Sequence, residues 1–283
     1  MAAEPGGAAA RIARAATWSY GILTAWGLLG LLLVGRAMPG VPPEVQQRAM
    51  AWGMLWVGQL TLWSGFLAAV AALAVHVGRG RALRAAAGVV GASLALELVG
   101  AKTGFPFGEH GYGTELGLRV LGLIPLVIPL SWFLMLYACT ALALRLGLRW
   151  PATLAAVTAG MLAWDVLMEP AMSRAYPFWQ WRAGAGVWYG MPLANLLTWV
   201  VWVPVIGSIL RWLAGEGVAA LARDRTAVAL YVLTAITPLA LAVRYQLWAA
   251  VLLGGGAMVA FLALPLARSW RAADAATAGA SAA

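Results

Sequence analysis

One lysine, one cysteine and two histidines occur in the 283 residues of this chain, and each scarcity closes off a class of chemistry. A single thiol, Cys139, excludes an internal disulfide and any cysteine cluster for metal. His76 and His110, far apart in the chain, are too few for a histidine-rich di-iron site. A Walker loop, a G-x-G-x-x-G turn, an H-E-x-x-H helix and a G-x-S-x-G elbow are all missing, as are the paired aspartate-rich motifs that hold the magnesium diphosphate of prenyl transfer. Charged residues make up only 10% of the chain. The formal charge is +9, yet the arginines are scattered among apolar runs and form no basic patch for nucleic acid.

What the chain has in abundance is apolar surface: 63% of residues are hydrophobic and the mean hydropathy is +0.83. Several runs are long enough to cross a hydrocarbon core about 30 Å thick, so the sequence reads as an all-α, polytopic transmembrane helical bundle. About eight spans are expected, near 17–34, 50–76, 85–101, 118–144, 152–168, 193–213, 227–243 and 247–267. Residues 1–283 form one membrane domain, with small-residue tails at about 1–14 and 271–283 expected to be disordered. The first span follows Arg11 and Arg14 and lacks an A-x-A-like exit, so it reads as a retained helix rather than a signal peptide. With eight spans, twelve basic residues fall on the side of the two termini and seven on the other, which places both termini in the cytoplasm by the positive-inside rule.

Polar residues interrupt this pattern in a few places, and the topology gathers them at one end of the bundle. Glu97 lies near the end of the third span, Asp165 and Glu169 near the end of the fifth, and Asn195 and Trp199 at the start of the sixth. An ionisable side chain at the centre of a span costs at least about 2.5 kcal/mol, so each suggests function by default. The plainer readings are that Glu97 snorkels or pairs with Lys102, and that Glu169, just before Pro170, ends its helix and pairs with Arg174. Asp165 and Glu169 are four apart and share a helical face. Two carboxyls so placed in an apolar setting do not both ionise cheaply, which makes the pair a source of a general acid.

Between the third and fourth spans, TGFPFGEHGYG carries four glycines and a proline, a composition that permits a tight re-entrant path where protein or a watery cavity covers it. His110 in this loop could shuttle protons, although a lone loop histidine is more often a hydrogen-bonding residue; His76, at the other end of its span, reads as structural. The loop YPFWQWRAGAGVWYGMPLAN holds Tyr176, Trp179, Trp181, Trp188 and Tyr189. Aromatic belts at membrane interfaces account for much of this, and the functional reading is a lining for a long polyene whose ring faces stabilise a developing carbocation.

Three stretches together resemble a known family. They are E-L-V-G-A-K-T-G-F-P-F-G-x-x-x-Y from Glu97, D-x-x-x-E-P from Asp165, and W-x-W-x(6)-Y-G-M-P-x-x-N-x-x-x-W from Trp179 to Trp199. This pattern, over about residues 90–205, is similar to the integral membrane carotenoid 1',2'-hydratases and the related bisanhydrobacterioruberin hydratases. The chain departs from the pattern at His110, where a second aromatic is expected, and at Thr198, where Gly is usual.

The resemblance implies a cofactor-independent hydro-lyase of the bacterial inner membrane. It would add water to the terminal isolated C=C of a lipid-dissolved acyclic carotenoid, giving a tertiary alcohol, in company with other carotenoid biosynthesis enzymes. From the chemistry, Asp165 and Glu169 are the expected acid and Glu97 the group that positions water and takes its proton, with Lys102 or Asn195 nearby. Phe107, His110, Tyr112, Trp181, Tyr189 and Trp199 are the expected substrate contacts, and no metal is called for. A carotenoid cyclase, which protonates the same kind of double bond, is the nearest alternative. A proton-coupled small-solute transporter is a second, though the acids crowd one half of the bundle and leave a path across incomplete.

Overall fold

The computed structural model describes residues 5–34, 40–175, 177–182 and 186–281; Tyr176 and the chain ends at 1–4 and 282–283 lie outside these. Eight helices organise the described residues: α1 (Pro5–Val34), α2 (Pro43–Val77), α3 (Arg79–Thr103), α4 (Val127–Leu144), α5 (Trp150–Pro170), α6 (Leu193–Ala214), α7 (Arg225–Arg244) and α8 (Gly256–Ser281). Each contributes to a segment long and apolar enough to cross a membrane. The chain is a multi-pass helical membrane protein. Large apolar side chains such as Trp18, Trp56, Trp212 and Val259 are exposed on its flanks, where lipid rather than water is the natural neighbour.

Helix α4 is the axis of the bundle, buried along nearly its whole length. It packs against α2, α3, α5 and α7, while α6 lies on α3 and α5, α1 on α2 and α7, and α8 on α5. Small residues make these approaches possible, as expected where lipid supplies no hydrophobic drive between helices. A β-carbon on Gly254, for example, would sit 2.5 Å from the backbone nitrogen of Leu167.

Helices extend further than expected at both ends of the chain. The stretch from Pro5 is helical, so Arg11 and Arg14 belong to α1 rather than to a tail, and α8 runs to Ser281. Both segments are rich in alanine, the best helix former. The fourth span is shorter than its apolar sequence suggests. Residues 118–126 fold back as a small hairpin, β2 (Arg119–Val120) against β3 (Ile124–Pro125), turning through Leu121 and Gly122 with φ of 51° and 70°. Only then does α4 begin. A second ribbon pairs β1 (His110–Tyr112) with β4 (Trp179–Trp181), antiparallel, with His110 opposite Trp181 and Tyr112 opposite Trp179. It ties the loop after α3 to the loop after α5 and roofs one end of the bundle.

Candidate active site

Beneath that roof, helix ends bring three carboxyls together. Glu97 lies near the C-terminus of α3, and Asp165 and Glu169 stand one turn apart at the end of α5, where Pro170 interrupts the amide ladder and the chain widens into a π turn, Ala171–Ala175. All three are buried. Their hydrogen-bond donors are neutral. Tyr112 donates its hydroxyl to Glu97 Oε2 at 2.8 Å and Trp132 its indole N–H to Oε1 at 3.2 Å. Trp179 donates to Glu169 Oε1 at 2.8 Å, and Trp181 donates to the same oxygen. Asn195, at the start of α6, donates to Asp165 Oδ2 at 3.2 Å. Glu97 therefore takes Tyr112 and Trp132, not Lys102, as partners, and Glu169 takes two indoles while Arg174 donates to the Tyr189 carbonyl.

A cavity of about 490 Å³ opens in front of these groups, with Glu97, Asp165, Glu169 and Asn195 on its wall. Aromatic rings cover the rest of this end. Trp132 and Trp199 stack with centroids 4.3 Å apart and planes 8° from parallel, and Trp164 meets Trp199 edge-on at 6.3 Å. Away from the acids the lining is apolar and comes largely from α1 and α2. Trp26 and Trp52 line the cavity and are also exposed on the flank of the bundle, so the cavity reaches the lipid-facing surface there.

Of the residues anticipated from sequence, Glu97, Phe107, His110, Tyr112, Asp165, Glu169, Trp181, Asn195 and Trp199 all line this cavity. Phe107 is seated by Gly100, where a β-carbon would lie 2.6 Å from its ring. Two anticipated residues lie elsewhere. Lys102 lines a separate pocket of about 640 Å³ on the far side of the roof. Tyr189, held at φ 51°, packs edge-on against Trp188 at 5.1 Å, outside the cavity lining. Two participants went unassigned from sequence, Trp132 and Trp164, and Trp179, read there only as one of the loop aromatics, is also a donor to Glu169. Trp164 adjoins Asp165 and Trp179 opens the W-x-W motif, but Trp132 lies within an apolar span and carries no such signal.

Outside the spans, burial lowers the pKa of His110 and so favours its neutral form, whose Nδ1 lies 2.9 Å from the Gly108 carbonyl. Burial and the nearby Glu97 carboxyl raise the Tyr112 phenol well above its usual range, which keeps it a donor. No three His, Cys, Asp or Glu among the described residues converge as metal ligands would.

The family model for carotenoid biosynthesis proteins matches residues 57–261, which include the whole of this acid and aromatic end. The chain belongs to the carotenoid biosynthesis protein family. A curated relative, the bisanhydrobacterioruberin hydratase of Haloarcula japonica, is 34% identical over 113 residues, covering 38% of this chain and 38% of that protein. No solved structure matches the chain. Family membership ties this membrane protein to carotenoid biosynthesis.

Proposed function

We propose that this carotenoid biosynthesis protein is a hydratase that adds water to the terminal isolated double bond of an acyclic carotenoid end. The observation that carries the reading is the meeting of three buried carboxyls, served by neutral donors, with stacked indoles on the wall of a cavity that reaches the lipid surface. A polyene enters laterally past α1 and α2 and brings its end to the acids.

The chemistry is a proton transfer followed by capture. The Asp165 and Glu169 pair, crowded in a place poor in water, supplies a proton to the less substituted alkene carbon. The electron pair of the double bond forms the new C–H bond and leaves a tertiary cation. Trp199, Trp132 and Tyr112 present ring faces and edges to that end of the cavity, and aromatic faces stabilise a desolvated cation by roughly 2 kcal/mol. Glu97 holds a water and takes its proton as the C–O bond forms, giving the tertiary alcohol. Glu97 then releases that proton to solvent and the α5 pair regains one, so the cycle balances without an oxidant or reductant, and we assign no cofactor. We place the protein in the bacterial inner membrane with both termini cytoplasmic, next to the enzymes that supply its substrate.

The test is expression in a bacterial host that accumulates an acyclic carotene, with extracted pigments weighed by mass spectrometry. A product heavier by one water, absent in Asp165→Asn and Glu169→Gln, is the expected result. An isomer of unchanged mass would mean cyclisation, and untouched pigment from well-expressed protein on several acyclic carotenes would overturn both reactions.

A further inference from the structure

Two cavities meet at the roof of this site, and the same three rings separate them. His110, Tyr112 and Trp181 line the apolar cavity that holds the acids and also the 640 Å³ pocket above it. That outer pocket is polar, with Lys102, Thr103, Glu109, Gln180 and Arg182 among its lining. These three residues are common to both linings and stand between the two spaces. We propose that these rings form a gate through which water passes singly from the polar vestibule to the carboxyls, with the His110 imidazole as its moving part. The proposal rests on the hydration reading above.

The three rings are not equally free. Tyr112 is fastened to Glu97, and Trp181 is fastened to Glu169. Moving either strips a buried carboxyl of a donor. His110 touches neither acid: its Nδ1 bond goes to the Gly108 carbonyl two residues away, a bond that vestibule water replaces as the ring swings out. Its ring meets the neighbouring rings in edge and tilted contacts, with centroids 5.9 Å from Phe107, 5.3 Å from Tyr112 and 5.0 Å from Trp181. The reaction needs such a device. Open contact with water would hydrate the acids and level the electrostatics of a dry site, whereas a sealed wall would leave the cation with nothing to capture it. A neutral imidazole suits the position, since a fixed positive charge beside a carbocation would oppose its formation.

The chain provides a clean background for testing the gate, because its one thiol, Cys139, is buried. Ser131 lines the acid cavity and Thr103 lines the vestibule. In full-length protein held in lipid nanodiscs, a charged thiosulfonate reagent, which does not travel through lipid, should label Thr103→Cys quickly and Ser131→Cys slowly. Adding His110→Ala to Ser131→Cys should speed labelling at least tenfold, and adding His110→Phe should not. Equal rates with and without His110→Ala, or fast labelling of Ser131→Cys alone, would overturn the gate.

The second readout follows the reaction in deuterated water. Protonation without capture returns the cation to an alkene that carries deuterium, so His110→Phe should raise deuterium in recovered substrate relative to alcohol formed by about fivefold. An unchanged ratio would overturn the assignment, since a merely structural lesion lowers both together. Labelling contrast with no alcohol from any variant would instead sink the hydration reading while leaving the gate in place.

Discussion

The two ends of this bundle each bury acid, and they treat it in opposite ways. At the end away from the cavity, Asp224 caps α7 by accepting the Thr226 amide at 2.8 Å, accepts the Tyr137 hydroxyl, and lies 3.6 Å from His76 Nε2, while its own carbonyl accepts from Arg145 at 2.8 Å. The carboxyl there meets a capped amide, a fixed hydroxyl and an imidazole, and the cluster joins α2, α4 and α7. At the cavity end, Glu97, Asp165 and Glu169 have indoles, a phenol and an amide as donors, and face open space. A buried carboxylate matched by basic groups is a fastening; carboxyls with only neutral donors around a cavity are left to exchange protons with what enters it. The difference argues that one cluster holds the bundle together and the other acts on a substrate.

The largest effect should come from the α5 pair. Asp165→Asn, nearly isosteric, is expected to lower hydration at least ~100-fold while leaving thermal stability equal or higher, measured as alcohol formed per folded protein alongside a melting curve. Loss of stability without specific loss of rate would erase the contrast between the two ends. Asp224→Ala is the reciprocal change. It should destabilise the fold by about 2–3 kcal/mol, because it strands the Tyr137 hydroxyl and the neighbouring basic groups, yet keep alcohol per folded molecule within about twofold. A melting temperature that does not move would show that the cluster fastens nothing.

Glu97→Gln keeps one acceptor oxygen where Tyr112 and Trp132 donate to two, so it retains one of these donors while removing the base, and we expect roughly a tenfold slower hydration, a cost near 1.4 kcal/mol at the barrier. A fall as large as that of Asp165→Asn would move the acid from α5 to α3. Arg182→Ala should do least. Its 3.0 Å pair with Glu109 at the vestibule rim is exposed on both sides, and exposed pairs contribute less than about 1 kcal/mol. A marked change in rate there, read by the same pigment assay, would mean that rim charge steers water and would extend the site beyond the roof.

Much of this arrangement was legible in the sequence, for reasons that differ by residue. The eight spans follow from apolar length, and the shared face of Asp165 and Glu169 from their four-residue spacing. Lys102 was misplaced beside Glu97 because nearness in sequence is not nearness on a helix: five residues turn by about 140°, and this turn carries Lys102 to the vestibule. The start of α4 was hidden because residues 118–126 are as apolar as a span, while left-handed backbone at Leu121 and Gly122 turns them back. Trp132 was invisible as a partner for Glu97, since a tryptophan within an apolar span reads equally as lipid-facing. The pairing of His110–Tyr112 with Trp179–Trp181 joins distant loops, and three-residue strands carry no periodicity long enough to announce a register.

That ribbon also sets an order on how the protein is made. Its first strand leaves the ribosome some 70 residues ahead of its second, so at ordinary synthesis rates the loop after α3 waits on the order of several seconds for the strand that completes it. Throughout that interval α3 already carries Glu97 in or near the bilayer, while β1 lacks the neighbour that fixes its register. The acid end is thus completed only after α5 and the loop beyond it have been made, and a chain stalled before Trp181 is a membrane protein without a roof.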